Sequence, residues 1–171
     1  MQQPGGDDEA AGLALMEEAG TAITAGVDRL AAAWVVRVVT GVVDAWGRLD
    51  EVARTDTLAR ARAAGEEGAT RVGAELRTLF ATDPARQHTT PLEIVRSLRF
   101  EATAVLDAAG VAPVERDPFD ARSFPDDEYA IVPRSLADLG DEELAPMLMA
   151  WGLGKARVLR ARALRSGAVE P

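Results

Sequence analysis

Apolar residues recur at three- and four-residue steps through most of this chain, the spacing of a stripe along one face of a helix. A short first helix spans Glu9 to Glu18 and reaches Gly20, where Thr21 can cap a second helix running to about Trp46. In the second helix Val27, Leu30, Trp34, Val38, Val42 and Ala45 make the stripe. Val35, Val36, Val38 and Val39 would suit a strand in isolation, but Ala31 to Ala33 give no alternation and no turn dipeptide follows, so the window reads as helix. Asp50 caps a third helix from about Glu51 to Ala81, with Leu58, Ala61, Gly65, Ala69, Val72, Leu76 and Leu79 on one face. Gly65 and Gly68 each cost roughly 1 kcal/mol relative to Ala, which predicts a kink or break there. Two acid-before-arginine pairs four residues apart, Asp56 with Arg60 and Glu67 with Arg71, support the same helix.

The sharpest boundary is Thr90-Pro91-Leu92-Glu93, in which Thr90 caps, Pro91 takes the first helical position and Glu93 completes a capping box. The fourth helix buries Leu92, Val95, Leu98, Ala102, Val105 and Ala109, and Gly110 supplies its left-handed stop. The last helix has Asp141 as a possible cap, Pro146 near its first turn, and a row made of Leu144, Met147, Trp151, Gly154, Val158 and Ala161, with fraying after Arg165. Four main helices with mostly short joints predict an all-α bundle over residues 10–166. Residues 1–9 and 167–171 read as flexible ends. The exception to short joints is the proline-rich crossover 111–133, with Pro113, Pro118, Pro125 and Pro133, before the last helix. Its Phe119, Phe124, Tyr129 and Ile131 are apolar anchors that predict order.

Composition narrows the function more than the fold. The chain has 171 residues and a formal net charge of -9, the wrong sign for a general nucleic-acid binder. It has no cysteine and one histidine, His88, which speaks against thiolate chemistry and zinc catalysis and fits a cytoplasmic protein. No metal and no cofactor are expected. The apolar window Val27 to Trp46 fails as a membrane span because Asp28, Arg29, Arg37 and Asp44 interrupt it. The chain carries 33 Ala, and 18 Arg against the single Lys155, a bias read first as high genomic GC content.

Charge is segregated along the chain. The last helix carries Lys155, Arg157, Arg160, Arg162 and Arg165, while everything before Lys155 sums to -13, the whole-chain -9 less the +4 of this final segment. Cations suit a helix C-terminus, and an acidic partner or phosphate would suit the cations. In the crossover, six acids (Glu115, Asp117, Asp120, Asp126, Asp127 and Glu128) alternate with three aromatics, a pattern that does not match a calcium-binding loop. The charge split predicts that Asp126 or Asp127 docks on the Lys155 to Arg162 region, with Tyr129 or Phe124 beside Trp151. Trp151 and Lys155 stand one turn apart, which makes a cation-π contact available. His88 reads as a solvated loop residue, and Gly152-Leu153-Gly154 as close helix packing.

From Thr90 to Arg162 the chain resembles small uncharacterised proteins of high-GC actinobacteria, through Thr90-Pro91-Leu92-Glu93-Ile94-Val95-Arg96, Ala109-Gly110-Val111, Arg116-Asp117, Phe124-Pro125-Asp126-Asp127, Tyr129, and Trp151-Gly152 before Lys155-Ala156. The resemblance implies a lineage and a shared surface around Arg116, Asp126, Asp127, Tyr129, Trp151 and Lys155, and no activity. The expectation is a non-enzymatic binding or regulatory module working through the 111–133 crossover and the last helix. Its candidate residues are Arg116, Asp117, Asp126, Asp127, Tyr129, Trp151, Lys155, Arg157 and Arg160. One alternative is a small-molecule or metal-dependent enzyme using the acidic crossover. Another is an amphipathic protein coating a granule or membrane surface through its Ala- and Val-rich first half. The apolar rows of the second helix, with Trp34 and Trp46, further predict a homodimer.

Overall fold

A computed structural model describes residues 6–111 and 131–167, and these form an all-α bundle with no strand among the described residues. The helices are α1 (Gly6–Trp46), α2 (Glu51–Ala81), α3 (Pro91–Arg96), α4 (Arg99–Ala108) and α5 (Leu144–Arg165), with single 3-10 turns at Pro84–Arg86 and Leu136–Leu139. Helix α1 is the central element. It packs along α2 and along α5, and α4 closes against both α2 and α1.

Two expected helices are one. Helix α1 runs unbroken through Gly20, because that glycine is not a stop but a seat: a Cβ there would lie 3.0 Å from the Phe80 ring. Thr21, read as a cap, sits within the helix on its exposed side. The helix also begins at Gly6, so residues 6 to 9, read as flexible, form its first turn. At its other end Gly47 takes φ +61, and Asp50 caps α2 by accepting from the Ala53 N–H at 2.8 Å. Asp44 and Arg54 pin this joint at 2.8 Å.

Helix α2 carries no break at Gly65 or Gly68. Gly65 instead lets α1 approach, since a Cβ there would sit 2.7 Å from the Ala32 carbonyl oxygen. The helix loses propensity at this point and gains a close crossing. Asp56 and Arg60 pair as expected at 3.6 Å, but Arg71 turns away from Glu67 to Glu75 at 2.9 Å and to Glu101 of α4 at 2.8 Å. Glu101 draws it because it is much the more enclosed carboxylate, and ion pairs strengthen as solvent is removed.

The Thr90, Pro91 and Glu93 capping box forms as expected. The fourth helix then divides at Ser97 and Leu98, where no glycine or proline stands. Ser97 Oγ donates to the Ile94 carbonyl at 2.6 Å and accepts from Arg71 at 3.0 Å, so its side chain competes with the helical ladder. Gly110 ends α4 at φ +69. The chain returning from the crossover is held by arginines of two other helices: Arg96 donates to the Pro133 carbonyl at 3.1 Å, Arg37 to the Asp138 carbonyl at 2.7 Å, and Arg29 to the Asp141 carboxylate at 2.6 Å. Asp141 accepts from the Glu143 N–H, a turn just ahead of α5.

The core is drawn from all four main helices and includes Ile23, Val27, Val35, Leu76, Leu98, Leu106 and Val158. From Val27 onward the buried residues of α1 are Val27, Ala31, Trp34, Val35, Val39 and Val43, whereas Leu30, Val38 and Val42 of the expected stripe are half-buried and Ala45 is exposed. The face is wider than one stripe because α1 serves neighbours on two sides. Of the two tryptophans in these rows, Trp34 is buried within the chain and Trp46 is half-buried against the core.

Candidate functional site

Met16, Gly20, Thr24 and Asp28 follow one another at four-residue steps and so share one face of α1. This face forms one wall of a cleft of about 750 Å³, within the range of small-molecule pockets. The opposite wall is Arg77 and Phe80 of α2 with Thr82, Pro84 and Gln87 of the following loop, and Trp151 of α5 also lines it. Glycine at position 20 admits the Phe80 ring, and glycine at 73 leaves room for the Asp28 carboxylate, 2.6 Å from where a Cβ would stand. Asp28 accepts from Arg77 across the cleft.

Gln87 organises the loop end. Its Nε2 donates to the Leu79 and Thr82 carbonyls, both at 2.9 Å, and so braces the end of α2, where the Leu79 carbonyl also accepts from the Thr82 N–H. The backbone carbonyl of Gln87 accepts from Lys155 Nζ at 2.8 Å, and that ammonium also lies 5.2 Å from the centre of the Trp151 ring. Lys155 therefore ties Gln87 to Trp151.

Two polar atoms remain without a partner at this point. Gln87, 6% exposed, has an unpaired acceptor in Oε1, and Trp151, 4% exposed, has an unpaired donor in Nε1. Burying such a group unsatisfied costs about 1–3 kcal/mol. Both residues line the cleft, Gln87 from the loop after α2 and Trp151 from α5.

Of the expected site residues, the structure brings Trp151 and Lys155 together, with their cation-π contact formed. Arg157 and Arg160 are exposed on α5 and pair with no acid among the described residues. Arg116, Asp117, Asp126, Asp127 and Tyr129 lie outside the described residues, as does the docking of Asp126 or Asp127 with Tyr129 or Phe124. Sequence reasoning missed Gln87, Asp28 and Arg77. For Asp28 the four-residue march from Met16 was the available signal; for Gln87 there was none, because its role depends on where the loop folds.

Among the described residues, the basic end of α5 meets acids of α1 and of the loop after α2. Arg162 binds Glu9 of α1 at 2.8 Å and Asp83 at 2.7 Å, and Arg165 also binds Glu9. Hydrogen bonds from Arg162 and then Arg165 hold the Glu9 carboxyl below its ordinary range. Arg162 and the Ala85 N–H do the same for Asp83. His88 is exposed.

Compared with protein-family models, with curated proteins and with solved structures, the chain matches none. No helix among the described residues is long and apolar enough to cross a membrane.

Proposed function

We propose that this chain is a non-enzymatic binding module whose working site is the cleft between α1, the end of α2 and Trp151. The observation that carries this reading is the cleft itself, about 750 Å³ in volume, with Phe80, Gln87 and Trp151 drawn together in its lining. Two of the polar groups in the lining are already engaged. The Thr24 hydroxyl donates to the Gly20 carbonyl at 2.8 Å and Asp28 is committed to Arg77, so the lining offers recognition rather than an activated nucleophile. Relative to the expectation of a surface made by the 111–133 crossover and the last helix, this reading keeps Trp151 and Lys155 and centres the site on the cleft beside α1. A cytoplasmic setting is the one that the cysteine-free composition favours. Surface coating lacks the exposed stripe it requires, because the valines of α1 are buried or half-buried.

The indole N–H resonances of Trp34, Trp46 and Trp151 test the reading directly. With the Trp151 signal assigned by its loss in Trp151→Phe, a screen of small fragments should yield compounds that shift it and leave the Trp34 signal in place. A screen in which no compound moves Trp151 at millimolar concentration would remove the proposal.

A further inference from the structure

Helix α5 buries Leu144, Trp151 and Val158, which repeat at seven-residue steps along its inner side. The opposite row is Pro146, Met149, Leu153 and Ala156, at the alternating three- and four-residue spacing by which two helices pair. All four are exposed, Met149 at 70% and Leu153 at 57%. From Leu144 to Gly154 eleven consecutive residues carry no charge. A helix that is apolar all round is one covered all round, whereas a helix with a free side carries charge there. We infer that the outer row of α5 docks on the same row of a second copy of the chain, with the two helices antiparallel about a two-fold axis level with Trp151. This moves the homodimer expected from the second helix to the last one, and it stands apart from the cleft, because Trp151 belongs to the buried row.

Charge selects the occupant and its direction. Glu142 and Glu143 stand at the N-terminal end of the row, Arg157 and Arg160 at its C-terminal end, and all four are exposed without an ionic partner among the described residues. Glu143 has helical dihedrals, φ -68 and ψ -15, so the phase of α5 extends back to the acids. In the antiparallel pair Met149 meets the partner's Leu153 and Pro146 meets the partner's Ala156. Glu142 then faces the partner's Arg160, and Glu143 the partner's Arg157, with each contact made twice by the two-fold axis. A parallel pair would instead set acid on acid and arginine on arginine. Exposed ion pairs add only about 0–1 kcal/mol each, so the apolar row holds the copies together and the charges fix their direction. The row spans about 27 Å at 1.5 Å per residue, and a contact of one helix on one helix lies at the small end of specific interfaces, so the dissociation constant should be on the order of tens of micromolar.

Sedimentation of the full-length protein between roughly 1 and 300 µM tests this, and should show a monomer passing to a dimer across that range. Two double variants invert one end each: Glu142→Arg with Glu143→Arg, and Arg157→Glu with Arg160→Glu. All four positions are exposed, so the helical circular dichroism of each variant should match the parent. Alone, each variant sets like charges on one another and should dimerise at least about tenfold more weakly than the parent. Mixed in equal amounts, one copy is basic at both ends and the other acidic at both, and the dimer should return. A parent that stays monomeric at 300 µM would overturn the proposal, and access of a soluble paramagnetic probe to the Met149 methyl would then tell a face covered within the chain from one open to a different partner. Variants that dimerise as the parent does, or a mixture that stays monomeric while both variants are folded, would overturn the antiparallel pairing and the α5 interface with it.

Discussion

Thr90 shows how much a single side chain fixes. Its hydroxyl accepts from the Glu93 N–H while the Glu93 carboxylate accepts from the Thr90 N–H at 2.8 Å, so two groups that α3 would leave open are closed at once. Thr90→Ala should destabilise the protein by about 1 kcal/mol in urea unfolding, with an unchanged slope. Gln87 is the tertiary counterpart. Gln87→Met keeps the approximate volume but removes the donor that serves the Leu79 and Thr82 carbonyls, and should cost roughly 1–3 kcal/mol in the same measurement. The first effect was legible in the residues Thr90 to Glu93. The second was not, since a glutamine in a loop has no local sign of burial.

At the scale of elements, glycine marks where helices meet rather than where they stop. Helices α1 and α5 cross with Gly12 and Gly154 face to face: a Cβ on Gly154 would be 2.7 Å from the Gly12 carbonyl oxygen, and one on Gly12 would be 2.8 Å from that of Gly154. Backbone cannot yield as a flexible side chain can, so Gly154→Ala should cost about 1–3 kcal/mol by thermal unfolding. Gly152, two residues away, has nothing within 4 Å of a Cβ. Gly152→Ala should therefore be neutral or stabilise by up to about 1 kcal/mol through helix propensity alone. Opposite responses of two glycines in one turn would establish the crossing; equal responses would count against it.

The whole molecule is closed by a contact between its two ends. Glu9 of the first turn of α1 and Asp83 after α2 converge on Arg162 near the end of α5. Both carboxyls are held below their ordinary values, 4.5 for Glu9 and 3.8 for Asp83, so their contribution is complete above those pH values and is lost as pH falls through the lower folded values. Glu9→Gln should lower the melting temperature at neutral pH, and the gap from the parent should narrow below pH 4.5 as Glu9 itself is protonated. A gap that stays constant down to strongly acid pH would show that the ion pairs contribute nothing. Charge segregation along the chain foretold that the basic helix needs acids; their location at Glu9, 153 residues away, was hidden in a segment whose composition reads as tail.

The sequence by itself determined that the described protein is helical and where several helices begin and end. Periodicity, the Asp50 cap, the Thr90 to Glu93 box and Gly110 act within a few residues, so nothing distant is needed to read them. Tertiary structure decided the rest. Whether Gly20 and Gly65 break a helix or receive a neighbour depends on Phe80 and Ala32 approaching from other helices. Whether Arg71 pairs with Glu67 or with Glu101 depends on which carboxylate the fold encloses. The cleft belongs to this second class, because Met16, Gln87 and Trp151 come from three separate parts of the chain, and only packing brings them into one lining.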